Sequence, residues 1–328
     1  MRQEFLDLQW LQVFVVAAEE RSMSAAAQRL GTTQSAISQS IRHLEEELGV
    51  LLFDRKRRPL QLTAPALALL HRARVLLKES AQVRSDVIEA SLGIAPEAAI
   101  GLVDSFAATC GPHFIKQMLE RTLRLAVRSG LTQRHGEQLW SRELDIAVTT
   151  DPLEGLEGGV DRKIYSEPML VLVPRVGRFR RMKNLDKGID AEGLRRLGDE
   201  MPLIRFNSKS HLGVQVETLL RRVGVRAAHK LEVDTADTLV AMVAAGLGWA
   251  LTTPTCLVQG AQHAAQVVAI RLGGLHAGRS LYLIGREGEH TKLFEAAYTA
   301  AQDSVQHALL PALAELDPKL PSLIECGV

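Results

Sequence analysis

The chain has 328 residues, of which 46% are hydrophobic and 23% charged. This is the balance of an ordinary globular protein, and the length suffices for two or three units with cores of their own. The formal net charge of +1 excludes a general attraction for nucleic acid, so any DNA affinity must come from a local concentration of basic residues.

The cysteine spacing and the hydropathy of the sequence indicate the compartment in which the protein is expected. Cys110, Cys256 and Cys326 are widely spaced and odd in number, which argues against a disulfide framework or a zinc site and favours a reduced compartment. The apolar run at 13–18 is too short for a signal peptide. The apolar centre of residues 238–258 falls short of the roughly 20 residues that span a bilayer. We therefore expect a cytoplasmic protein with no membrane partner.

The first elements in chain order are three short helices. Residues 8–21 should form the first, and its Leu8, Leu11 and Phe14 are expected to face one core. Strong helix formers follow at 25–30, and a third helix should cover residues 34–48. The boundaries are marked by residues that cap or end helices, namely Ser22 or Ser24, Gly31, and Thr32 or Thr33.

The third helix has two distinct faces. One is an apolar stripe at three- and four-residue spacing, formed by Ala36, Ile37, Ile41, Leu44 and Leu48. The opposite face carries side chains that can read base edges or hold phosphates, namely Gln34, Ser35, Ser38, Gln39 and Arg42. A helix, a glycine turn and a polar-faced helix outline a helix-turn-helix.

A basic hairpin follows the third helix. Residues 50–53 and 60–63 are expected to be its two short strands, and the turn between them is the most basic stretch of the first 63 residues, with Arg55, Lys56, Arg57 and Arg58. Beside a helix-turn-helix, this turn is predicted to be a wing that contacts DNA phosphates. Each phosphate contact adds about 0.9 to the log–log salt slope of binding.

A long helix is predicted from residue 64 to about residue 90. Its uncharged positions recur at alternating spacings of three and four, as Ala66, Leu69, Ala73, Leu76, Ser80, Val83 and Val87. Such a seam is typical of a coiled coil between two subunits. The alternative is an amphipathic helix packed within a single domain. Gly93, Pro96 and Glu97 then mark a hinge.

The remaining sequence alternates between short apolar runs and helical segments. The predicted strands are residues 98–103, 124–128, 144–149, 169–174, 203–206, 250–253 and 280–284. The predicted helices are residues 114–120, 136–140, 214–223, 235–245 and 291–309. Such alternation predicts a parallel α/β sheet.

The order of residue types over positions 8–66 resembles the winged helix-turn-helix of the LysR-type transcriptional regulators. The matching residues are Leu11, Phe14, Ala17, Ser22, Ala26, Ala27, Leu30, Gly31, Gln34, Ser35, Ser38, Ile41, Leu44, Glu45, Leu48, Gly49, Leu52, Phe53, Arg55, Arg58, Leu62 and Thr63. The C-terminal part resembles the family's two-lobed effector domain through Leu144 to Ala147, Glu167, and Gly246 to Gly248.

The resemblance implies a fold and a function. The fold is an N-terminal all-α winged helix-turn-helix (1–63), a long linker helix used for dimerisation (64–93), and an α/β effector domain like the periplasmic binding proteins (94–310). The effector domain would comprise lobe I (94–165 and 270–310) and lobe II (166–268), followed by a tail (311–328). The function is that of a regulator, dimeric or tetrameric, which binds a double-stranded DNA operator and a small-molecule inducer. RNA polymerase is a further candidate partner.

Ligands of open α/β sheets bind beyond the carboxyl ends of strands. This rule selects a set of candidate effector contacts, namely Ser105, Ser129, Thr132, Thr149, Thr150, Phe206 and Asn207, with Ser208 beside them. By similarity to the family, these residues line the cleft between the lobes. Arg128, Arg205 and His211 lie nearby in the sequence, and they would suit a carboxylate effector.

No catalytic motif is apparent. The sequence lacks a dinucleotide fingerprint, a nucleophile elbow and a Walker loop. No histidine pair has metal-ligand spacing with a nearby acid, so we expect no metal, cofactor or enzymatic activity. Two alternatives stay open: a redox sensor that uses Cys110 or Cys256, although neither has a basic sequence neighbour, and an enzyme or transport receptor built on the solute-binding fold.

Overall fold

The computed structural model describes residues 6–54, 60–92, 97–150, 152, 158–183, 185, 188–226 and 229–327. The chain divides into two compact units, Met1–Ser91 and Leu92–Val328. Within the described ranges, no helix is both long enough and apolar enough to cross a bilayer.

The first unit contains four helices and one small hairpin among its described residues. In chain order these are α1 (Leu8–Glu20), α2 (Met23–Leu30), α3 (Gln34–Leu48), β1 (Phe53–Asp54), β2 (Gln61–Leu62) and α4 (Ala64–Leu92). The hairpin strands are antiparallel, with Phe53 opposite Leu62. Each strand is shorter than the four residues predicted from the sequence.

Local capping chemistry sets the helix boundaries. The hydroxyl of Ser22 accepts a hydrogen bond from the N–H of Ala25, and that of Thr33 accepts one from Ala36. Gly31 ends α2 in the left-handed region with a φ of 64°, and Gly49 ends α3 with a φ of 66°. The predicted caps and stops are therefore confirmed, with Ser22 and Thr33 selected from the alternatives.

The three helices α1–α3 share one core. Leu11 and Phe14 of α1 and Ile37, Ile41 and Leu44 of α3 are fully buried in it. The prediction that Leu8 also faces this core is wrong, since its side chain is 43% exposed at the first position of α1.

Helix α4 has a buried start and an exposed continuation. Ala66 and Ala73 are buried against the helix-turn-helix core. Further along the predicted seam, Leu76 is 46%, Val83 64% and Val87 66% exposed in the single chain.

The second unit has two lobes, of which the first contains a six-stranded sheet and the second a four-stranded and a two-stranded sheet. The elements of the first lobe up to the crossing are β3 (Ala98–Val103), α5 (Asp104–Thr109), α6 (Gly111–Leu119), β4 (Leu125–Gly130), α7 (Thr132–Trp140), β5 (Ile146–Thr149) and β6 (Gly159–Pro168). Those of the second lobe are β7 (Leu170–Pro174), β8 (Gly188–Ile189), α8 (Ala191–Glu200), β9 (Leu203–Phe206), α9 (His211–Val223), β10 (His229–Val233), α10 (Ala236–Ala244), β11 (Ala250–Thr252), α11 (Pro254–Gln259) and β12 (Val267–Leu272).

The chain then returns to the first lobe. The returning elements are β13 (Gly278–Arg286), α12 (Thr291–Ser304), a π-helical turn (Val305–Leu309), α13 (Leu310–Leu316) and β14 (Glu325–Cys326). The first-lobe sheet has the order β14-β6-β13-β5-β3-β4. The second-lobe sheet has the order β11-β7-β12-β8, and one isolated bridge from Leu203 to Trp249 connects the parallel pair β9–β10 beside it.

The predicted parallel sheet is correct only in part. Strand β3 pairs in parallel with β4 and β5. Strands β6, β13 and β14 are antiparallel to their neighbours. In the second lobe β7 is antiparallel to β11 and β12, whereas β12 is parallel to β8. The antiparallel pairs arise because the chain crosses between lobes twice, and β6 and β13 run side by side at the crossing. Strand β14 extends this sheet, so residues predicted as a tail pair with β6. The domain boundaries derived from the sequence stay a prediction.

Candidate nucleic-acid interface and ligand cavity

Helix α3 presents its polar side chains outward. Gln34, Ser35, Gln39 and Arg42 are exposed, and Ser38 is partly buried. The apolar stripe on the other side of α3 lies in the core, which fixes the direction of the polar face. The structure therefore brings all five predicted residues of this helix onto one accessible surface.

The hairpin is held to α3 by a buried carboxylate. Glu45 is 6% exposed, and its Oε1 accepts hydrogen bonds from the backbone N–H of Leu52 at 2.8 Å and of Phe53 at 3.4 Å. This role is not evident from the sequence, because a glutamate in the last turns of an exposed helix is usually a surface residue. The predicted wing residues Arg55, Lys56, Arg57 and Arg58 lie outside the described residues.

A cavity of about 70 Å³ lies between the two lobes of the second unit; we call it the interlobe cavity. Its lining comes from both lobes, namely Val103, Asp104, Ser105, Gly130, Leu131, Thr132, Thr150 and Arg279 of the first, and Phe206, Ser210, His211, Leu212, Asp234, Thr235, Ala236, Cys256 and Gln259 of the second. Its lining combines hydroxyl, carboxylate, imidazole and guanidinium groups with apolar side chains, which suits a small polar molecule.

Four of the seven residues selected by the strand-end rule lie at the interlobe cavity, and their role as effector contacts stays a prediction. Ser105, Thr132, Thr150 and Phe206 line the interlobe cavity. The other three are Ser129, which is exposed on β4, Thr149, which is fully buried in β5, and Asn207, whose Nδ2 donates to Asp234. Side chains alternate along a strand, so neighbouring positions such as 149 and 150 point to different sides.

Hydrogen bonds join the two lobes across the cavity. The Thr150 hydroxyl lies 2.9 Å from that of Thr132 and 3.0 Å from Nδ1 of His211. Thr132 and Thr150 belong to the first lobe, whereas His211 begins α9 of the second. A ligand that separates or replaces these groups would therefore alter the contact between lobes.

A buried ion pair lies beside the cavity. The guanidinium of Arg279 donates from Nε to Glu167 Oε1 at 2.8 Å and from Nη2 to Ser105 Oγ at 3.0 Å. Glu167 Oε2 accepts from the N–H and the hydroxyl of Thr255, both at 2.8 Å. The exposed fractions of the Arg279 and Glu167 side chains are 5% and 0%.

The buried ion pair and its neighbours determine the direction of the pKa shifts of the Arg279 guanidinium and the Tyr165 phenol. Burial alone would lower the pKa of Arg279, but the neighbouring Cys256, Glu167 and Tyr165 raise it above its ordinary value, so the cation persists. Burial raises the pKa of the Tyr165 phenol, and the charge of Glu167 raises it further. Arg279 could not be recognised from the sequence, since its ion-pair partner Glu167 lies on a different strand.

Two arginines expected near the effector are engaged elsewhere. Arg128 pairs with Glu143 at 3.4 Å on the surface, and Arg205 pairs with Glu217 at 2.7 Å. Neither is part of the described cavity lining, whereas His211 is. Of the basic groups, Arg279 and His211 therefore reach the cavity.

The N-termini of three helices lie at the interlobe cavity. The first residues of α7, α9 and α10, which are Thr132, His211 and Ala236, all line the cavity. Free N–H groups and the helix dipole make such positions favourable for an anion. Asp104 and Asp234 also line the cavity, and their carboxylates favour hydrogen-bond donors on the ligand.

The two buried cysteines differ in their surroundings. Burial raises the pKa of Cys110 to about 12, so its thiol stays protonated. Cys256 lines the cavity, and its Sγ lies 3.5 Å from Nη2 of Arg279. Neither cysteine has a basic neighbour in the sequence, but Arg279 of β13 provides one for Cys256 in the structure.

Two units make up the chain, namely a helix-turn-helix unit and a two-lobed α/β unit with a cavity between its lobes. Residues 8–67 match the family described as bacterial regulatory helix-turn-helix protein, lysR family. Residues 93–306 match the LysR substrate binding domain. The chain belongs to the LysR family.

Individual relatives agree with this assignment. The regulator DgdR of Burkholderia cepacia is 32% identical over 160 residues, which are 48% of this chain and 54% of DgdR. BudR of Raoultella terrigena is 29% identical over 77% of this chain and 87% of its own. The chain spans only 46–60% of the length of DgdR and three other curated relatives.

A solved full-length regulator shares the fold. The crystal structure of full-length CbnR complexed with its target DNA has a TM-score of 0.62 to this chain. The sequence identity is 19%, and the match covers 91% of this chain and all of that one (100%).

Proposed function

We propose that this protein is a DNA-binding transcriptional regulator, without enzymatic activity, whose activity responds to a small molecule in the interlobe cavity. The observation that carries the proposal is the exposed polar face of α3 on a helix whose opposite face is buried. It is supported by membership of the LysR family. The expected setting is the cytoplasm.

The proposed DNA contacts divide into two kinds. Gln34, Ser35, Ser38, Gln39 and Arg42 would enter the major groove, where amides and guanidinium groups distinguish base edges. The basic residues 55–58 would contact the sugar-phosphate backbone and position α3 without reading sequence. A single small module binds weakly, so two modules on a two-fold operator are expected.

The proposed assembly uses α4. The exposed Leu76, Val83 and Val87 continue a seam whose first members are buried in the same chain. Burying them against a second α4 would remove apolar surface from water. We propose a dimer, which can associate further into a tetramer, with RNA polymerase as a further partner at promoters.

The proposed effector is a small carboxylate that also carries hydrogen-bond donors. Arg279 and three helix starts favour its negative end, and Asp104 and Asp234 favour its donors. A ligand bound between Thr150 and His211 would shift the equilibrium between two arrangements of the lobes. The size of that shift is set by the difference between the ligand's affinities for the two arrangements.

DNA recognition is tested by changing Gln39 and Arg42 together to alanine. DNA fragments selected by the full-length wild type should be bound far more weakly, with the sequence preference lost. A matched control replaces Gln12 and Arg72, an exposed glutamine and arginine on α1 and α4, and should retain the preference. Equal binding by wild type and the α3 variant would refute the role of this face.

Effector binding is tested by ligand-induced shifts in melting temperature with small hydroxy- and amino-carboxylates. Thr150→Val removes a hydroxyl that lines the cavity, and the control Thr149→Val makes the same change one residue away, outside the cavity lining. The shift should disappear in the first and persist in the second. Turnover of a ligand by a protein that binds no DNA would instead favour the enzyme alternative.

The redox alternative has its own test. A Cys110→Ser and Cys256→Ser double variant should keep the ligand response if the cavity binds its effector through the contacts above. Loss of the response in this variant, with restoration by the wild-type Cys256 alone, would favour a thiol sensor.

A further inference from the structure

Two histidines and one aspartate meet on the surface of the first lobe, away from the interlobe cavity lining. They are His113 of α6, Asp303 near the end of α12, and His307 in the π-helical turn. One donor atom from each lies within 4.8 Å of the other two. We call these residues the His113–Asp303–His307 cluster.

The cluster is already arranged by short contacts. Nδ1 of His307 lies 2.9 Å from Asp303 Oδ1, and Nε2 of His113 lies 3.7 Å from Asp303 Oδ2. The two imidazole rings are nearly parallel, with centroids 5.9 Å apart and planes 18° apart. The carboxylate therefore lies beside both rings.

Hydrogen bonds from residues outside the cluster orient two of its three side chains. Gln117 Nε2 donates to Asp303 Oδ2 at 2.6 Å. The hydroxyl of Ser304 lies 3.2 Å from His113 Nδ1, which leaves Nε2 of that ring on the side of Asp303. Partners of this kind fix ring orientation in metal sites, and removing them typically costs about 10- to 100-fold in affinity.

The local backbone is unusual at the same point. The helix widens into a π turn over Val305–Leu309, and His307 lies within it. Such turns are rare and are frequent at functional sites. Neither this turn nor the approach of α6 can be read from sequence spacing, which explains why the sequence analysis expected no metal.

We propose that the His113–Asp303–His307 cluster binds one divalent transition-metal ion, with Zn²⁺ or Cu²⁺ as the best fit. Two imidazole nitrogens and one carboxylate oxygen match the ligand preference of these ions, whereas Mg²⁺ and Ca²⁺ prefer oxygen alone. Tetrahedral coordination at about 2.0–2.2 Å places ligand atoms about 3.3 Å apart. Side-chain rotation can reach this spacing, because 33% of His113, 39% of Asp303 and 65% of His307 is exposed.

The metal would link two segments of the first lobe. His113 is on α6, and the other two ligands are on α12 and the turn that follows it, so one ion would hold these helices together. The fourth position would be taken by water or an exchangeable ligand, since three protein ligands leave a zinc site open.

The test is titration of the tag-free, metal-depleted full-length protein with ZnCl₂ in a calorimeter, with MgCl₂ as the comparison. One Zn²⁺ per chain is expected, with no heat from Mg²⁺ at the same concentration. His113→Ala and His307→Ala should each weaken Zn²⁺ binding at least about tenfold. His276→Ala, which removes an exposed histidine elsewhere, should leave it unchanged.

A second measurement identifies the ligands. Electron paramagnetic resonance of the Cu²⁺-loaded protein should show coupling to two imidazole nitrogens, and to one in either histidine variant. The proposal is overturned if the wild type binds no stoichiometric Zn²⁺, or if both cluster variants bind as the wild type does. It is also overturned if Cys326→Ser removes the site instead, because that exposed thiol would then be the ligand.

Discussion

Removing the guanidinium of Arg279 should strongly destabilise the second unit. Arg279→Met leaves the Glu167 carboxylate fully buried, with its two bonds from Thr255 but without its cationic partner. Breaking a buried ion pair on one side typically costs about 3–5 kcal/mol. The matched control is Arg128→Met, which makes the same change in a pair whose side chains are 50% and 49% exposed and should cost about 0–1 kcal/mol.

The assay is urea unfolding followed by the fluorescence of Trp140 and Trp249, with Trp10 replaced by phenylalanine in every variant. With a urea dependence of about 3 kcal/mol per M, Arg279→Met should lower the midpoint by about 1–1.7 M, and Arg128→Met by less than about 0.3 M. Adding Glu167→Gln to Arg279→Met should recover part of the loss, because the unpaired charge is then gone. Equal midpoints for the two methionine variants would refute the reasoning.

Three further predictions concern local features. Gly31→Ala places a side chain at a φ of +64° and should cost about 1–2 kcal/mol in the first unit, measured by thermal unfolding; an unchanged melting temperature would show that the turn relaxes. Although burial would raise the pKa of Asp145, its hydrogen bond and attraction to His290 lower it overall. The unfolded chain therefore binds more protons, and this contribution to stability is complete above about pH 5 and lost as the pH falls through about 4 and below. Asp145→Asn should flatten that acid loss, and identical acid profiles would contradict the assignment. Iodoacetamide should label Cys326 in the folded protein but not Cys110, whose pKa is raised to about 12 by burial; mass spectrometry of the peptides distinguishes the two.

The helices of the first unit could be predicted almost to the residue. Their ends depend on side chains within four positions, such as Ser22 and Thr33 as caps and Gly31 as a stop. Their core follows from the spacing of Ile37, Ile41 and Leu44. Information this local is fully present in the sequence.

Other elements needed information from distant parts of the chain. Strand β6 was missed because its sequence from Gly159 to Pro168 is largely polar, and its place in the sheet is set by β13, more than 100 residues later. In β6, pairing with a distant strand outweighs local propensity. Strand β12 and helix α8 were also missed, although the apolar run of β12 and the spacing of Leu194 and Leu197 in α8 are local signals.

The cavity shows the same division. A rule about strand ends was sufficient to find Ser105, Thr132 and Thr150. It could not find Arg279 or Cys256, which reach the cavity because β13 and α11 pass behind it. When two interacting side chains come from distant segments, the number of residues between them follows no pattern that the sequence reveals.

The paired strands at the lobe crossing have a consequence for how this architecture can be altered. The chain leaves the first lobe at Pro168 and re-enters it at Gly278, and these two residues are directly opposite each other in the sheet. Residues 169–277 are therefore an insertion into the first lobe, and its two covalent connections lie opposite each other on neighbouring strands of the sheet. Such a segment can be exchanged for that of a relative by recombination at two sites, without interrupting any other strand of the host sheet.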